Sequence, residues 1–311
     1  MELSDFKGLN YFRFLVPAIF ISCWVSMIAG PLYFNLPYRE FCFVFYVYFI
    51  LKTIYQLSLT ISMCIKGNAA LERAKNPNKN PRPVEAQYQE IYHAFVIPSY
   101  KEDIELLAET IGVLAQHSRA TSSYLVFLAM EEHEPESDVK ARQLMARFQN
   151  KFRAIDFTRH KVRPNEQKGK ASNVSWCVEH MEDKFKALMV NPEDVFVTVM
   201  DADSWAPNAY FNELEDHLFN NLEKRHLFIY QPTQIFTRND QEVPIFVRTY
   251  DDMYSSFQAA ANAACCGPTF MLSNYTMSYS LIKRVGYWDT IEEAIAEDFH
   301  MLLKAHFKTQ G

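Results

Sequence analysis

The sequence lacks the cysteine spacing of a zinc-binding or disulfide-rich protein. None of its six cysteines forms a C-x-x-C pair, and none is spaced from a histidine as in a zinc site. The neighbours Cys265 and Cys266 cannot easily close a disulfide with each other. Cys23, Cys42 and Cys64 lie in apolar runs, so we expect reduced, buried thiols. Such thiols are typical of a domain that faces the cytosol.

An excess of positive charge is also missing. The formal net charge is -6, which gives no indication of a nucleic-acid-binding surface. The chain shows no internal repeat and no low-complexity tract. Its length of 311 residues suits one large domain or two smaller ones.

Charge is almost absent from two long runs near the N-terminus. Residues 14–36 carry none, and a membrane-spanning helix needs about 20 apolar residues. Residues 41–65 carry one charge, Lys52, near the middle, together with several hydroxyl and amide groups. A mid-span lysine is costly unless it faces protein, so this run is either a second span or an interfacial or buried helix. The short linker Leu36–Glu40 would make the pair a helical hairpin.

The flanks of these runs indicate a membrane anchor with a cytosolic domain. A cleaved signal peptide is not expected, because the first run is too long and Glu2 and Asp5 precede it. Basic residues and prolines follow the second run, which predicts a linker on the cytoplasmic side. We therefore predict an anchor over residues 1–70 with spans at about 14–36 and 41–65, a linker over 71–90 and a catalytic domain over 91–311.

From Tyr92 onwards, strand-like and helix-like patterns alternate. This alternation predicts an α/β domain with a mostly parallel sheet and right-handed crossovers. The predicted strands are 92–97, 123–130, 154–158, 195–200, 227–235 and the strand-like run 268–273. The predicted helices are 103–116, 139–152, 171–189, 245–264, 280–286 and 299–307.

Two carboxylates follow the most apolar of these strands. Val195–Met200 reads as a strand buried on both faces, and it runs directly into Asp201-Ala202-Asp203. In open α/β sheets, ligands bind beyond the carboxyl ends of the strands. Hard divalent cations prefer such oxygen ligands. The alternative is an acidic turn in which Asp203-Ser204 caps the next helix.

Four motifs in a fixed order carry a resemblance to a known family. They are Val96-Ile97-Pro98-Ser99-Tyr100-Lys101-Glu102, Lys168-Gly169-Lys170-Ala171-Ser172-Asn173, Asp201-Ala202-Asp203 and Glu297-Asp298. From about Tyr92 onwards, the sequence resembles the family-2-like glycosyltransferases with a GT-A fold. It is particularly similar to the membrane-embedded members, such as cellulose, chitin and hyaluronan synthases and ceramide glucosyltransferases.

The resemblance implies a site for a nucleotide-diphospho-sugar. Pro98, Tyr100 and Glu102 match the loop that holds the base and ribose, although Glu102 is also suited to capping the following helix. The family usually has an aspartate after the second strand. Here Met130-Glu131-Glu132 stands in that place, which makes Glu131 the candidate for base recognition. Lys170 matches the basic residue near the diphosphate, or is a solvated lysine of a charged loop.

The same resemblance implies the metal site and the catalytic base. Asp201 and Asp203 match the family's metal motif for Mg²⁺ or Mn²⁺, with Asp201 also near the nucleotide-sugar. Asp298 matches the base that takes the proton of the acceptor hydroxyl, and Glu297 supports it. The alternative for Glu297 and Asp298 is capping of a helix N-terminus.

The chain departs from the family in one respect. Membrane synthases usually carry a Gln-x-x-Arg-Trp motif after the acidic pair, whereas this chain ends at Gly311. We therefore expect a fragment of a longer protein. The sequence predicts a membrane-anchored, inverting glycosyltransferase with a polysaccharide or lipid acceptor and no nucleic-acid partner. The rival hypothesis is an inactive membrane scaffold that keeps the fold.

Overall fold

The computed structural model describes residues 12–74, 90–236, 242–264, 273–291 and 296–309. The chain divides into two compact units, Met1–Ser62 and Met63–Gly311. The first unit contains helix α1 (Phe12–Tyr33) and most of helix α2 (Leu36–Ala74). The Tyr38 hydroxyl donates to Ser26 O at 2.6 Å. Gly30 allows this approach, because a Cβ there would lie 2.4 Å from the Tyr38 ring.

The break between these helices differs from the predicted linker Leu36–Glu40, which lies inside the first turns of α2. Proline is tolerated in the first turn of a helix, so Pro37 does not prevent α2 from starting at Leu36. The backbone N–H groups of Tyr38 and Arg39 donate to Asn35 O. Residues 71–74 of the linker predicted over 71–90 belong instead to the end of α2, and residues 75–89 lie outside the described residues.

Among the described residues, one helix contains a stretch long and apolar enough to cross a membrane. This stretch is Leu36–Ala69 of α2, and only 6% of its most apolar window is buried. This low burial does not fit the alternative of a helix buried in the core of this chain. In α1, the described apolar stretch is shorter and covers Ile21–Tyr33.

The second unit alternates strands and helices as the sequence predicts. Its strands are β1 (Tyr92–Ser99), β2 (Tyr124–Glu131), β3 (Ala154–His160), β4 (Val195–Val199), β5 (Ile229–Tyr230) and β6 (Tyr275–Ser278). Its helices are α3 (Ile104–Ala115), α4 (Ala120–Ser123), α5 (Ser137–Arg147), α6 (Lys170–Glu179), α7 (Met181–Ala187), α8 (Asn208–Asn220), α9 (Ile245–Ala264), α10 (Tyr279–Val285) and α11 (Glu297–Thr309).

The six strands form one sheet in the order β3-β2-β1-β4-β6-β5. Strands β3, β2, β1 and β4 are parallel, and β6 runs antiparallel to both β4 and β5. The predicted fold class, a mostly parallel sheet flanked by helices, is therefore confirmed. The parallel register places the ends of β1, β2 and β4 side by side at one edge.

Helices cover both faces of the sheet, which explains why its central strands are apolar throughout. On one face, α6, α7, α10 and α11 pack on residues such as Val96, Phe127 and Val197. On the other, α3, α5 and α8 pack on residues such as Phe95 and Phe196.

Several predicted bounds were wrong. The helix predicted over 171–189 is interrupted at His180, whose φ of -93° and ψ of 1° separate α6 from α7. The strand predicted over 227–235 is only two residues long. Strand β6 was not predicted, and the run 268–273 lies outside the described residues apart from Ser273. Pro207, and not Asp203, occupies the N-cap of α8.

The described cysteines are free thiols, as predicted, but only some are buried. Cys42 and Cys177 are buried, whereas Cys23 and Cys64 are exposed on α1 and α2. The prediction of burial was therefore wrong for Cys23 and Cys64. Cys265 and Cys266 lie outside the described residues.

Candidate active site

The loop Asp201–Asp203 follows β4 directly and is fixed by two other parts of the fold. Thr110 of α3 donates from Oγ1 to Ala202 O at 2.6 Å. Asn274, just before β6, accepts from the backbone N–H of Asp201 at 3.1 Å. Asn274 has a φ of 70°, a left-handed conformation that asparagine tolerates better than most residues. These contacts position the two aspartates beyond the carboxyl end of the sheet.

Lys170 brings the two acidic motifs together. Its Nζ lies 2.7 Å from Asp201 Oδ1 and 3.9 Å from Asp298 Oδ2. The preceding residue, Gly169, has a φ of 152° and a ψ of -171°, a region of backbone space essentially confined to glycine. Gly169 thus allows the chain to turn into α6 with Lys170 at its first position.

The acidic pair opens α11, as predicted. Glu297 and Asp298 form the first turn of the helix, where its dipole favours negative charge. Met301 and Ala305 seat the helix on the core, with Leu302 partly buried beside them. The Asp298 side chain is only 13% exposed.

The buried surroundings alter the ionisation of both Asp298 and Lys170. The pKa of Asp298 is raised from 3.8 to about 6, because the raising effects of burial, the largest, and of the Glu297 charge outweigh the lowering effect of Lys170. For Lys170, burial lowers the pKa, but the carboxylates of Asp298 and Asp201 outweigh burial, so its pKa is raised overall. Near neutral pH, Lys170 is therefore a cation between carboxylates.

The loop after β1 forms another wall of the site. The Glu102 carboxylate accepts from the backbone N–H of Tyr100. The helix N-cap is instead Asp103, which accepts from Glu105 N, so Glu102 does not cap α3. The Tyr100 ring is 44% exposed and lies 4.9 Å from the His133 ring, centroid to centroid. An exposed aromatic pair at this position offers a surface on which a planar base can stack.

Glu131 differs from its predicted surroundings. The sequence placed it in an acidic loop, but it is the last residue of β2 and is only 3% exposed. It accepts a hydrogen bond from His160 Nδ1 at 2.9 Å. His160 could not be identified from the sequence, because nothing in the local pattern of β3 indicates a partner 29 residues away.

A cavity of about 570 Å³ joins most of the predicted site residues. Pro98, Tyr100, Glu102, Glu131, Lys170, Asp201 and Asp203 all line it. Glu297 and Asp298 do not line the cavity. Asp298 lies 3.9 Å from Lys170, which does. The lining also includes Ser99, His133 and Asn173, to which the sequence had assigned no role. Asn173 stands in the Lys168–Asn173 motif, so its position was available as a signal.

The donor set at Asp201 and Asp203 fits a hard divalent cation that has further ligands. Among the described residues, no cluster of three or more His, Cys, Asp or Glu side chains could hold a metal ion. Mg²⁺ commonly takes only one or two carboxylates and completes its shell with substrate phosphates and water. Both aspartates line the cavity. A cation here would therefore share its coordination with a phosphorylated ligand.

The strand order and the acidic residues at the carboxyl edge of the sheet define an α/β domain with a candidate ligand site at that edge. Residues 196–311 match the family model described as "Glycosyl transferase family group 2". The resemblance to family-2-like glycosyltransferases is thus confirmed over the part that holds β4, Asp201, Asp203 and the acidic pair. A match to this family supports glycosyl transfer. No curated protein matches the chain.

The solved structures that match this chain in three dimensions share little sequence identity with it. One is the mannosyltransferase PcManGT from Pyrobaculum calidifontis in complex with GDP-Man and Mn²⁺, with 16% identity and a TM-score of 0.49. That match covers 80% of this chain and 63% of that chain. Another is S. aureus TarS 1-349 in complex with UDP-GlcNAc, with 11% identity, a TM-score of 0.43 and coverage of 70% of this chain and 54% of that chain.

The raised pKa of Asp298 predicts a pH-dependent effect of Asp298→Asn on stability. A carboxyl with a higher pKa in the folded chain contributes less to the free energy of unfolding as pH rises from about 4 to above 6. Asn does not ionise. The free energy of unfolding of Asp298→Asn relative to wild type should therefore increase across this window by up to about 3 kcal/mol, and its relative melting temperature should rise with it. Thermal unfolding of the full chain at pH 5 and pH 8 covers about one unit of this pKa shift, equivalent to about 1.4 kcal/mol.

The matched control is Asp183→Asn, which changes a 91% exposed acid of α7. Its difference from wild type should be the same at both pH values. A constant difference between Asp298→Asn and wild type would show that the Asp298 carboxyl is not destabilised in the folded chain.

Proposed function

We propose that this chain is an inverting, metal-dependent glycosyltransferase that moves a sugar from a nucleotide-diphospho-sugar to a hydroxyl acceptor. One observation carries the proposal: Lys170 lies 2.7 Å from Asp201 and 3.9 Å from Asp298 at the mouth of a cavity that Asp203 also lines. A cation, a pair of carboxylate ligands and a buried base candidate thus meet at the carboxyl edge of the sheet. The family match over 196–311 supports the same reaction class.

Each residue has a role that follows from its charge and position. Asp201 and Asp203 would hold Mg²⁺ or Mn²⁺, which neutralises the charge of a diphosphate leaving group. Lys170 would bind the diphosphate oxygens as a second positive charge. Tyr100, with Pro98 and Glu102 beside it, would hold the base and ribose, and Glu131 would accept a hydrogen bond from the base.

Asp298 is suited to take the proton of the acceptor. Its pKa of about 6 leaves it ionised at neutral pH and yet more basic than an ordinary aspartate. As the acceptor oxygen bonds to the anomeric carbon, its proton passes to Asp298 and the bond from that carbon to the diphosphate breaks. A single displacement of this kind inverts the anomeric configuration. Glu297 would support the charge and orientation of Asp298.

The acceptor is proposed to be a polysaccharide or a lipid at the cytosolic face of a membrane. Support comes from the apolar stretch Leu36–Ala69 and from the basic residues that follow it in the sequence. The proposal includes two spans and a cytosolic catalytic domain.

Donor binding should depend on the cation. For the full-length chain in detergent, calorimetry should show uridine or guanosine diphosphate binding at least about tenfold more tightly with Mn²⁺ than without it. Asp203→Ala should remove this difference together with most of the affinity. Glu132→Ala, at an exposed acid outside the cavity lining, should preserve it. Equal affinity with and without metal in the wild type would contradict the metal site.

Turnover should depend on the carboxylate of Asp298. Asp298→Asn keeps the shape and much of the capping ability but cannot accept a proton. In a form of the protein active on a hydroxyl acceptor, this change should lower kcat by roughly 10²–10⁴-fold and leave donor binding near wild type. Glu297→Gln should lower kcat less. Loss of donor binding with kcat retained at saturating donor would make Asp298 a donor ligand instead. No turnover by any form, with donor binding intact, would favour the inactive scaffold.

Two membrane spans predict the sides on which the termini and the turn lie. A reporter fused after Gly311 should be cytosolic. A glycosylation acceptor site inserted at Phe34–Asn35, between α1 and α2, should be modified in the lumen. Glycosylation of the C-terminal reporter instead would show a single crossing or the reverse orientation.

A further inference from the structure

His160, the last residue of β3, lies between two buried glutamates. Its Nδ1 is 2.9 Å from Glu131 Oε2, and its Nε2 is 3.2 Å from Glu166 Oε2. The His160 side chain is 0% exposed, and both glutamate side chains are 4% exposed. Burying two carboxylates in this way is costly unless they are paired.

The two contacts determine how many protons the cluster needs. A neutral imidazole has one N–H, so it can donate to one carboxylate and must turn a lone pair towards the other. Two ionised glutamates therefore require His160 as an imidazolium that donates from both nitrogens. Burial lowers the pKa of His160, but hydrogen bonds to Glu131 and Glu166 and their charges outweigh burial and raise it overall.

Other charged groups around the cluster come from the elements packed against it. From the loop after β2, His133 Nδ1 lies 3.5 Å from Glu131 Oε2. From the loop after β3, the backbone N–H of Arg163 donates to Glu166 at 2.6 Å, while its guanidinium pairs with Glu179 of α6. The Trp176 ring of α6 lies 5.7 Å from the His160 ring. Arg159 pairs with Glu132 and Asp138, which leaves His160 as the cation inserted between Glu131 and Glu166.

The cluster joins two parts of the proposed donor site. Glu131 lines the cavity, and Glu166 belongs to the loop that leads to Gly169 and Lys170. The same loop is tied to the segment before α11, because Glu166 forms a β-bridge with Ile291 and Gln167 N donates to Thr290 O at 2.8 Å. A change at His160 would therefore reach both the cavity wall and the Lys170 loop.

We propose that His160 is a positioning residue of the donor site: its imidazolium holds Glu131 as an ionised acceptor at the cavity wall and fixes the loop that leads to Lys170. The inference rests on the proposed function, in which the cavity binds a nucleoside diphosphate.

An ionised Glu131 can only accept hydrogen bonds. Guanine and uracil present a ring N–H on the edge that pairs with other bases, whereas adenine and cytosine present a ring nitrogen lone pair there. A carboxylate held in place therefore favours the first two bases. Selectivity among nucleotides reports on the orientation and charge of Glu131, and a loss of overall stability does not change it.

The test is calorimetry of UDP, GDP, ADP and CDP with Mn²⁺ on the full-length chain in detergent. Wild type should bind UDP or GDP at least about tenfold more tightly than ADP and CDP. His160→Gln should weaken binding of the preferred nucleotide by about tenfold and bring the four affinities together. Glu131→Gln, whose amide both donates and accepts, should also remove the selectivity and serves if His160→Gln does not fold.

The chain offers a matched control in His93→Gln. The side chain of His93 is also 0% exposed, and it pairs with the buried Glu215 at 3.1 Å. His93 lies near the amino end of β1, whereas the cavity lies at the carboxyl end. This variant should lose stability and keep both affinity and selectivity.

The pH dependence supplies a second readout. The imidazolium loses its proton as pH rises through the raised pKa of His160, above the usual 6.5. The affinity of wild type for its preferred nucleotide should therefore fall above that pH, with no corresponding fall in His160→Gln. If wild type binds no nucleoside diphosphate, the proposed function fails and this inference fails with it. If wild type binds selectively and His160→Gln keeps the same affinities, only the role of His160 is overturned.

Discussion

The site depends on one ammonium group that lies between carboxylates from different parts of the fold. Lys170 contacts Asp201 at 2.7 Å and approaches Asp298 at 3.9 Å, and Glu297 adds a third nearby negative charge. The three carboxylates favour a further cation at this edge of the sheet. A divalent ion at Asp201 would release Lys170 towards the oxygens of a bound diphosphate. The salt bridge between Lys170 and Asp201 thus joins the first residue of α6 to the loop after β4.

Contacts from distant segments hold these carboxylates close to one another. Two residues fix the Asp201–Asp203 loop: Thr110 of α3, which precedes it in the sequence, and Asn274 before β6, which follows it. Trp288 donates to the Tyr275 hydroxyl at 2.7 Å, in the fully buried region beside Asp298. Like charges held together lower stability, and this cost is offset by the two apolar layers that cover the sheet. Proteins commonly accept such a cost at a functional site.

Sequence predicted the features that depend on local pattern. The apolar run of β4 indicated its position directly, the helix predicted over 245–264 matches α9, and Gly286 marked the end of α10, where its φ is 81°. Features that depend on distant partners were missed. Strand β6 is only four residues long and is fixed by pairing with β4, including a hydrogen bond of 2.8 Å between Thr198 and Thr276.

The burial of Glu131 was missed for the same reason. An acidic run after a strand normally indicates a solvated loop, and only the approach of β3 brings His160 to it. The motif residues, by contrast, were predicted to share one site from the resemblance to family-2-like glycosyltransferases, and Asp201 and Asp203 also from the rule that ligands bind beyond the carboxyl ends of the strands. The sequence could not show that Lys170 bridges the two acidic motifs, since that contact depends on how α6 and α11 pack against the sheet.

Two buried histidine–glutamate clusters lie at opposite ends of the sheet and differ in how their charges are balanced. Near the amino end of β1, Glu215 contacts both His93 and Arg119, and the guanidinium balances its charge. Burial lowers the pKa of the neighbouring His117 to about 4, so that group stays neutral. At the carboxyl end, His160 lies between Glu131 and Glu166, and His133 lies 3.5 Å from Glu131. Glu131 also lines the cavity, so this cluster presents a carboxylate to a ligand there, whereas the cluster around Glu215 is closed by Arg119.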